Sequence, residues 1–290
     1  MERGNNLQRS VLTPYILIAP ATIYIIAIMA FPLAFSFVRS FYDRLGDFIA
    51  LDNYVELFTN PGIRQAIIQA FLFVVICAVG EMLLGIAYAL LLNRKFPLRG
   101  FVRTLFLLPL LFPPVVAALN WGFLLHADYG FINQFLRFVV GVQSPPLWLA
   151  RPNLAFLSVC IVTIWRNTPF VMILILGGLQ SIDPDLYESA KIDGASRPAS
   201  FFFITLPMLR YVILITIMLR VIDLFRKFDV IYVLTRGGPG GATEILSTRI
   251  YKLAFWEAQP GMAASLSYIA LITTVALLVP FLILNRRRDV

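Results

Sequence analysis

Glu188 to Pro207 reads ESAKIDGASRPASFFFITLP, 20 residues that open with charge, small side chains and a glycine, and end in phenylalanines and a proline. Long apolar runs flank it on both sides, and so polar an interruption has to sit in water. Its local chemistry is that of two short helices joined by a tight turn. Asp183 is placed to accept from the first free amides, Pro184 suits the first helical position, and Asp185 lies favourably against the positive end of the helix dipole. A helix over about 184–193 follows, and Gly194 falls where a helix ends in a left-handed residue. Ser196 can cap a second helix, which tolerates Pro198 in its first turn. Phe201, Phe202, Phe203 and Ile204 make that second piece strongly apolar, and Pro207 is expected to mark a bend into the next apolar segment.

The remainder of the 290 residues fixes the class. Hydrophobic residues make up 59%, charged residues 14%, and the mean hydropathy is +0.82. This excludes a soluble domain and indicates a polytopic membrane protein. The apolar runs are roughly 20 residues long, enough to cross a hydrocarbon core of about 30 Å as helix. No alternating pattern suggests a barrel, so an all-α bundle is expected. Six spans are predicted, at about 12–38, 66–92, 104–125, 153–179, 207–225 and 262–284, within a single transmembrane domain covering 1–290. The third carries Pro109, Pro113 and Pro114, which neighbouring helices in a bundle can accommodate as kinks. The first run is too long for a signal peptide and no small-residue cleavage site follows it, so it reads as an uncleaved span.

Net charge is +8, but the basic residues sit mostly at the ends of apolar segments. That is a topogenic pattern rather than a nucleic-acid surface. Arg94, Lys95, Arg99 and Arg103 cluster between the second and third spans, and Arg286, Arg287 and Arg288 close the chain as a stop signal. With both termini inside, the inner stretches hold barely more Lys and Arg than the outer ones, yet they are much the shorter, and short loops are where the bias orients a chain. Termini and the 180–206 segment are therefore expected to be cytoplasmic. Cys77, Cys160 and the single His126 supply neither a disulfide framework nor a zinc site.

The order Glu188, Ser189, Ala190, three residues, Gly194, nine residues, Ile204, Thr205, Leu206, Pro207 resembles the EAA signature of permease subunits of bacterial binding-protein-dependent ABC importers. Only its second position departs, with Ser189 in place of alanine. Phe225 to Pro239 (FRKFDVIYVLTRGGP) with Thr243, Trp165 to Phe170 (WRNTPF) and Leu51 to Tyr54 (LDNY) are similar to further landmarks of the same family. The nearest subgroup is the maltose and glycerol-phosphate type of carbohydrate importer. The resemblance implies a type I importer permease fold in the bacterial cytoplasmic (inner) membrane. It also implies that the 180–206 loop docks on an ATP-hydrolysing subunit, with Glu188, Ser189, Ala190, Gly194, Ile204, Leu206 and Pro207 as the coupling residues. Gly237, Gly238, Pro239, Gly240 and Gly241 are either a plain turn or part of the surface that meets an extracytoplasmic solute-binding protein.

Glu81, Arg166 with Asn167, Arg220 and Asp223 lie inside apolar segments, where a charge facing lipid costs several kcal/mol. They either line a translocation path that binds sugar hydroxyls or pair structurally. Arg220 and Asp223, three apart on one helix face, suit pairing. Trp121, Trp148, Trp165 and Trp256 could stack on a sugar, though anchoring and packing explain most such residues. The sequence contains no GxxxxGK[ST] phosphate loop, so no cofactor is expected on this chain, and ATP and magnesium belong to a partner. The expected assembly is this chain, a second permease subunit, two ATP-binding subunits, the binding protein, membrane lipid and a carbohydrate, with no nucleic acid. An ion-gradient transporter using Glu81 or Asp223 and a membrane-embedded enzyme are the alternatives. The first leaves the polar island unexplained, and the second lacks a clustered catalytic set.

Overall fold

The computed structural model describes residues 2–286, and among them it is helical apart from turns and one isolated bridge between Tyr42 and Phe48. Five helices are long and apolar enough to cross a membrane, and a bent pair brings the number to six. The basic side chains of Arg3, Arg9, Arg286, Arg287 and Arg288 lie outside the described side chains.

The two central helices are α3 (Pro61–Asn93) and α7 (Pro152–Gln180). They approach closely because small residues meet large ones: a Cβ added to Gly85 would fall 2.5 Å from Val171 Cγ1, and one on Gly80 would fall 2.6 Å from Ile164 Cδ1. Without a hydrophobic driving force between helices in lipid, such small-residue seams are what permit tight van der Waals packing. Helix α10 (Leu206–Phe225) lies against both of them. Two large apolar clusters fill most of the bundle, one around Phe73, Cys77, Cys160, Leu224 and Leu266, the other around Met82, Met172, Ile175, Leu179 and Leu209, and a small third joins Ala118, Val162 and Val230.

Among the described residues helix α1 (Glu2–Arg39) packs chiefly on α13 (Pro260–Arg286), and at one end. That end is fastened by polar contacts. Helix α2 (Asp52–Thr59) supplies Asn53, whose amide donates to Ser40 O at 2.8 Å and Tyr42 O at 2.9 Å, and Ser265 of α13 donates to the same Ser40 carbonyl at 3.0 Å. The LDNY landmark is therefore a clamp on the end of the first span.

The third span is not the kinked but continuous helix expected over 104–125. It divides into α4 (Arg99–Leu111) and α5 (Pro114–Leu124), bent by 96°. Adjacent prolines are the cause. The residue before a proline is driven out of the helical region, and both Phe112 and Pro113 precede one. Both are extended, with ψ of 128° and 141°. Helix α4 alone is only about 20 Å long, short of a crossing.

A second correction concerns Pro207. Helix α9 (Arg197–Ser200) passes through a π-helical turn, Phe201–Thr205, directly into α10, so Arg197–Phe225 is one continuous helical body that Pro207 does not interrupt. In the wider turn the Leu206 amide reaches Phe201 O, five residues back. That widening relieves the clash a proline ring makes with the preceding turn of a regular helix.

The loops also hold helices that the pattern of apolar runs did not reveal: α6 (Phe131–Phe138), α11 (Asp229–Thr235) and α12 (Leu246–Tyr251). All three lie with α2 at the end of the bundle opposite the polar island.

Candidate functional site

The polar island forms a hairpin of α8 (Pro184–Ile192) and α9, as the capping chemistry predicts. Asp183 accepts from the Asp185 amide at 3.0 Å, and Ser196 from the Ala199 amide at 3.4 Å. Gly194 adopts φ +81°. Its amide donates to Lys191 O at 3.1 Å and that of Ala195 to Ala190 O at 2.8 Å, the paired bonds of a Schellman C-cap. Across the hairpin the hydroxyls of Tyr187 and Thr205 meet at 3.0 Å, and Thr205 is buried. Backbone geometry and one buried hydroxyl pair thus hold the hairpin, without any ion pair among the described residues.

Glu188 and Ile192, four apart, share the outward face of α8. Glu188 is exposed, and Ile192 is 86% exposed, an isoleucine left in the open at a membrane-protein end. Ser189 is exposed and Ala190 half-buried. Ile204, half-buried, and the exposed Leu206 and Pro207 lie at the far end of the unit, where the π-helical turn runs into the span.

The intramembrane charges converge at the junction of α3, α7 and α10, between the two large apolar clusters. Arg220 donates to Glu81 twice, Nε to Oε2 at 2.6 Å and Nη2 to Oε1 at 3.3 Å, and also to Asp223 Oδ2 at 3.1 Å. Lys227 donates to the same Asp223 oxygen at 3.0 Å. Glu81 and Arg220 are buried, while the Asp223 side chain keeps 48% of its exposure. The Arg220 guanidinium also lies 5.7 Å from the ring centre of Phe170. Sequence spacing pointed to Arg220 with Asp223. It missed Glu81, 139 residues away, and Lys227, because only the fold brings them together. The available signal was the cost of an unpaired buried carboxylate, which requires a cation somewhere in the bundle.

Asn167 of α7 is buried, and its Nδ2 makes no hydrogen bond among the described residues. Its neighbour Arg166 donates from Nη1 to Asn167 Oδ1 at 2.9 Å and from Nε to Phe112 O at 3.2 Å. That carbonyl belongs to the extended residue at the break after α4, so Arg166 satisfies a backbone group which the double proline leaves without a helical partner. Polar contacts therefore run from the broken third span through Arg166 to Asn167, and separately from Glu81 through Arg220 and Asp223 to Lys227. Beside them Trp121 and Trp165 lie edge to face at 5.5 Å and line a cavity of about 690 Å³ with Asn120 and Tyr129. Trp148 instead donates to Asn133, and Trp256 contacts Tyr232.

At the opposite end from the hairpin, Gly237, Gly238 and Pro239 are tied into the molecule. Gly237 is buried with φ +82°, and a Cβ there would lie 3.1 Å from Lys252 Nζ and 3.3 Å from Glu244 Oε2. Gly238 and Pro239 are half-exposed. Thr243 donates to Gly238 O at 2.9 Å and meets Thr235 at 2.6 Å. Lys252 bridges to Glu244, and Arg249 to Glu257 at 2.6 Å and to Glu244 at 3.6 Å. Among the described residues no group of His, Cys, Asp or Glu could hold a metal ion.

Comparisons with known proteins agree with this architecture. Residues 81–289 match the family described as binding-protein-dependent transport system inner membrane component. The chain is 37% identical over 246 residues to the trehalose/maltose transport system permease protein MalF of Thermococcus litoralis, covering 83% of this chain and 81% of that one. It is 30% identical to the sulfoquinovosyl glycerol transport system permease protein SmoG of Agrobacterium fabrum, covering 94% and 90%. A chain of a bacterial ABC transporter involved in the import of the acidic polysaccharide alginate superposes with a TM-score of 0.86 at 22% identity, over 99% of both chains. With bundle, hairpin and family match in agreement, this chain belongs to the inner membrane components of binding-protein-dependent transport systems.

Proposed function

We propose that the chain is one of two permease subunits of an ATP-driven importer that moves a carbohydrate across the bacterial cytoplasmic membrane. Two ATP-binding subunits would dock on the α8–α9 hairpin, and a solute-binding protein would deliver the sugar at the opposite end. The carrying observation is the hairpin: a preformed, exposed helix pair that presents Glu188 and Ile192 outward on a chain without a phosphate loop of its own. Relatives named for trehalose/maltose and sulfoquinovosyl glycerol transport support the substrate class. A similar structure in complex with an alginate pentasaccharide-bound periplasmic protein supports the delivery step.

In this reading the hairpin and both termini face the cytoplasm, and ATP with magnesium stays on the partner. Glu188, Ser189, Ala190, Gly194, Ile204, Leu206 and Pro207 form the coupling unit. Transport proceeds by alternating access, with ATP binding closing the two ATPases and opening the spans outward. Asp223, Arg166 and Asn167, with Trp121 and Trp165, would line the path, while Glu81 and Arg220 hold that lining in place. Gly237, Gly238 and Pro239 are the candidates for contact with the binding protein, Gly238 and Pro239 being the half-exposed ones.

The test is cysteine accessibility on the inner halves of α4 and α10 in the assembled complex. Labelling should fall when the complex is trapped with a non-hydrolysable ATP analogue. Unchanged labelling, or a permease that purifies without an ATPase, would reject the proposal.

A further inference from the structure

Below the hairpin, flanking the Glu188 face of α8, lies a cleft of about 910 Å³ between α8, α9 and the ends of α3 and α7. Three cations line it: Arg94 just past α3, Lys191 on α8 and Arg197 at the start of α9. All three are exposed, no carboxylate shares the lining, and among the described residues none of the three makes an ion pair. Hydrogen-bonding groups from Asn93, Tyr187 and Ser200 stand beside them.

The rest of the lining is apolar, with Leu90, Leu179, Phe201 and Phe202 leading toward the spans. Phe202 is 61% exposed and the adjacent Phe203 82%. Aromatic rings left open at the end of a transmembrane helix belong to the membrane interface, where one side is apolar and the other wet. One site thus offers concentrated positive charge at headgroup depth above an apolar slot.

We propose that this cleft binds an anionic phospholipid, its phosphate between Arg94, Lys191 and Arg197 and an acyl chain along Leu90, Phe201 and Phe202. Basic pockets at the inner ends of transmembrane helices hold acidic headgroups by the same charge-assisted bonds. The lipid would brace the hairpin from beneath while its outward face stays free, so the composition of the inner leaflet would tune the angle at which the hairpin is presented. The assignment to the inner leaflet rests on the orientation proposed above.

The test is native mass spectrometry of the complete transporter extracted from nanodiscs that contain phosphatidylglycerol mixed with phosphatidylcholine. The parental complex should retain phosphatidylglycerol in preference. The triple variant Arg94→Gln, Lys191→Gln, Arg197→Gln should lose that preference several-fold, whereas Arg99→Gln with Arg103→Gln, basic residues of the same end outside the cleft, should keep it. Should the triple variant fail to assemble, Lys191→Gln alone, at an exposed position, should show a partial loss. Equal retention in parental and cleft variants would overturn the proposal, as would equal loss in the Arg99/Arg103 control. Displacement of the lipid by inorganic phosphate would reassign the site to a soluble anion. An ATPase lost from the triple variant while the lipid stays would assign the three cations to the protein dock. Lipid retention is read on the permease itself, so the outcome does not depend on whether Glu188 engages an ATPase.

Discussion

Two charge clusters of this bundle, one on the hairpin and one at the opposite end, are held in opposite ways. At the end opposite the hairpin, Glu244, Arg249, Lys252 and Glu257 are spent on one another, and the same bookkeeping continues inward through Lys227, Asp223, Arg220 and Glu81. On the hairpin, Glu188, Lys191 and Arg197 have no ion partner among the described residues, and the shape is held by a Schellman cap and a hydroxyl pair. Charges that neutralise each other serve the fold of their own chain. Charges held on a rigid backbone and left uncompensated are available to another molecule. Substitutions at the first set should therefore act on stability, and at the second on partners.

The sharpest contrast comes from Arg220→Met. It strands Glu81 in the bundle and should destabilise the protein by about 3–5 kcal/mol, read as a collapse in the melting temperature or yield of the detergent-purified chain. Adding Glu81→Gln should recover much of the loss. A stable single variant would show that the centre is not structural. Glu188→Ala should instead leave melting unchanged and weaken ATPase association by about 2–5 kcal/mol, the range for truncating one partner of a desolvated pair; titration of purified ATPase against the permease in nanodiscs measures it. A drop in melting temperature there would break the distinction between the two ends.

Lys252→Ala leaves the buried Glu244 with only the longer Arg249 contact, and about 1–3 kcal/mol of stability should go with it. Thermal unfolding measures this, and hydrogen exchange should show the Gly237–Gly241 loop opening first. The smallest effect is expected at Gly194→Ala. The added Cβ meets open space, so only the left-handed φ of +81° counts, at about 1 kcal/mol. The change should appear as faster exchange at the Gly194 and Ala195 amides and a modest loss of ATPase coupling, with the spans unaffected.

How far the sequence could be read follows the range of the forces involved. Caps at Asp183 and Ser196, the left-handed Gly194 and the Arg220–Asp223 pair are local, and each could be read from residues a few positions apart. The Glu81–Arg220 bridge, the Asn53 clamp and the burial of Gly237 depend on segments that meet only in the fold. Prolines misled in both directions. Pro113 and Pro114 break a span because two consecutive residues are forced out of the helical region. Pro207, preceded by a π-helical turn, interrupts nothing.

That last point has a mechanical consequence. From Arg197 to Phe225 the chain is one continuous helical body, roughly 40 Å long at 1.5 Å per residue. One end is the second limb of the hairpin and the other carries Arg220 and Asp223. Under the proposed coupling, displacement of the hairpin at Ala199 would reach Asp223 along one helix with no intervening loop, and the π-helical turn with Pro207 is the place on that path where helices kink.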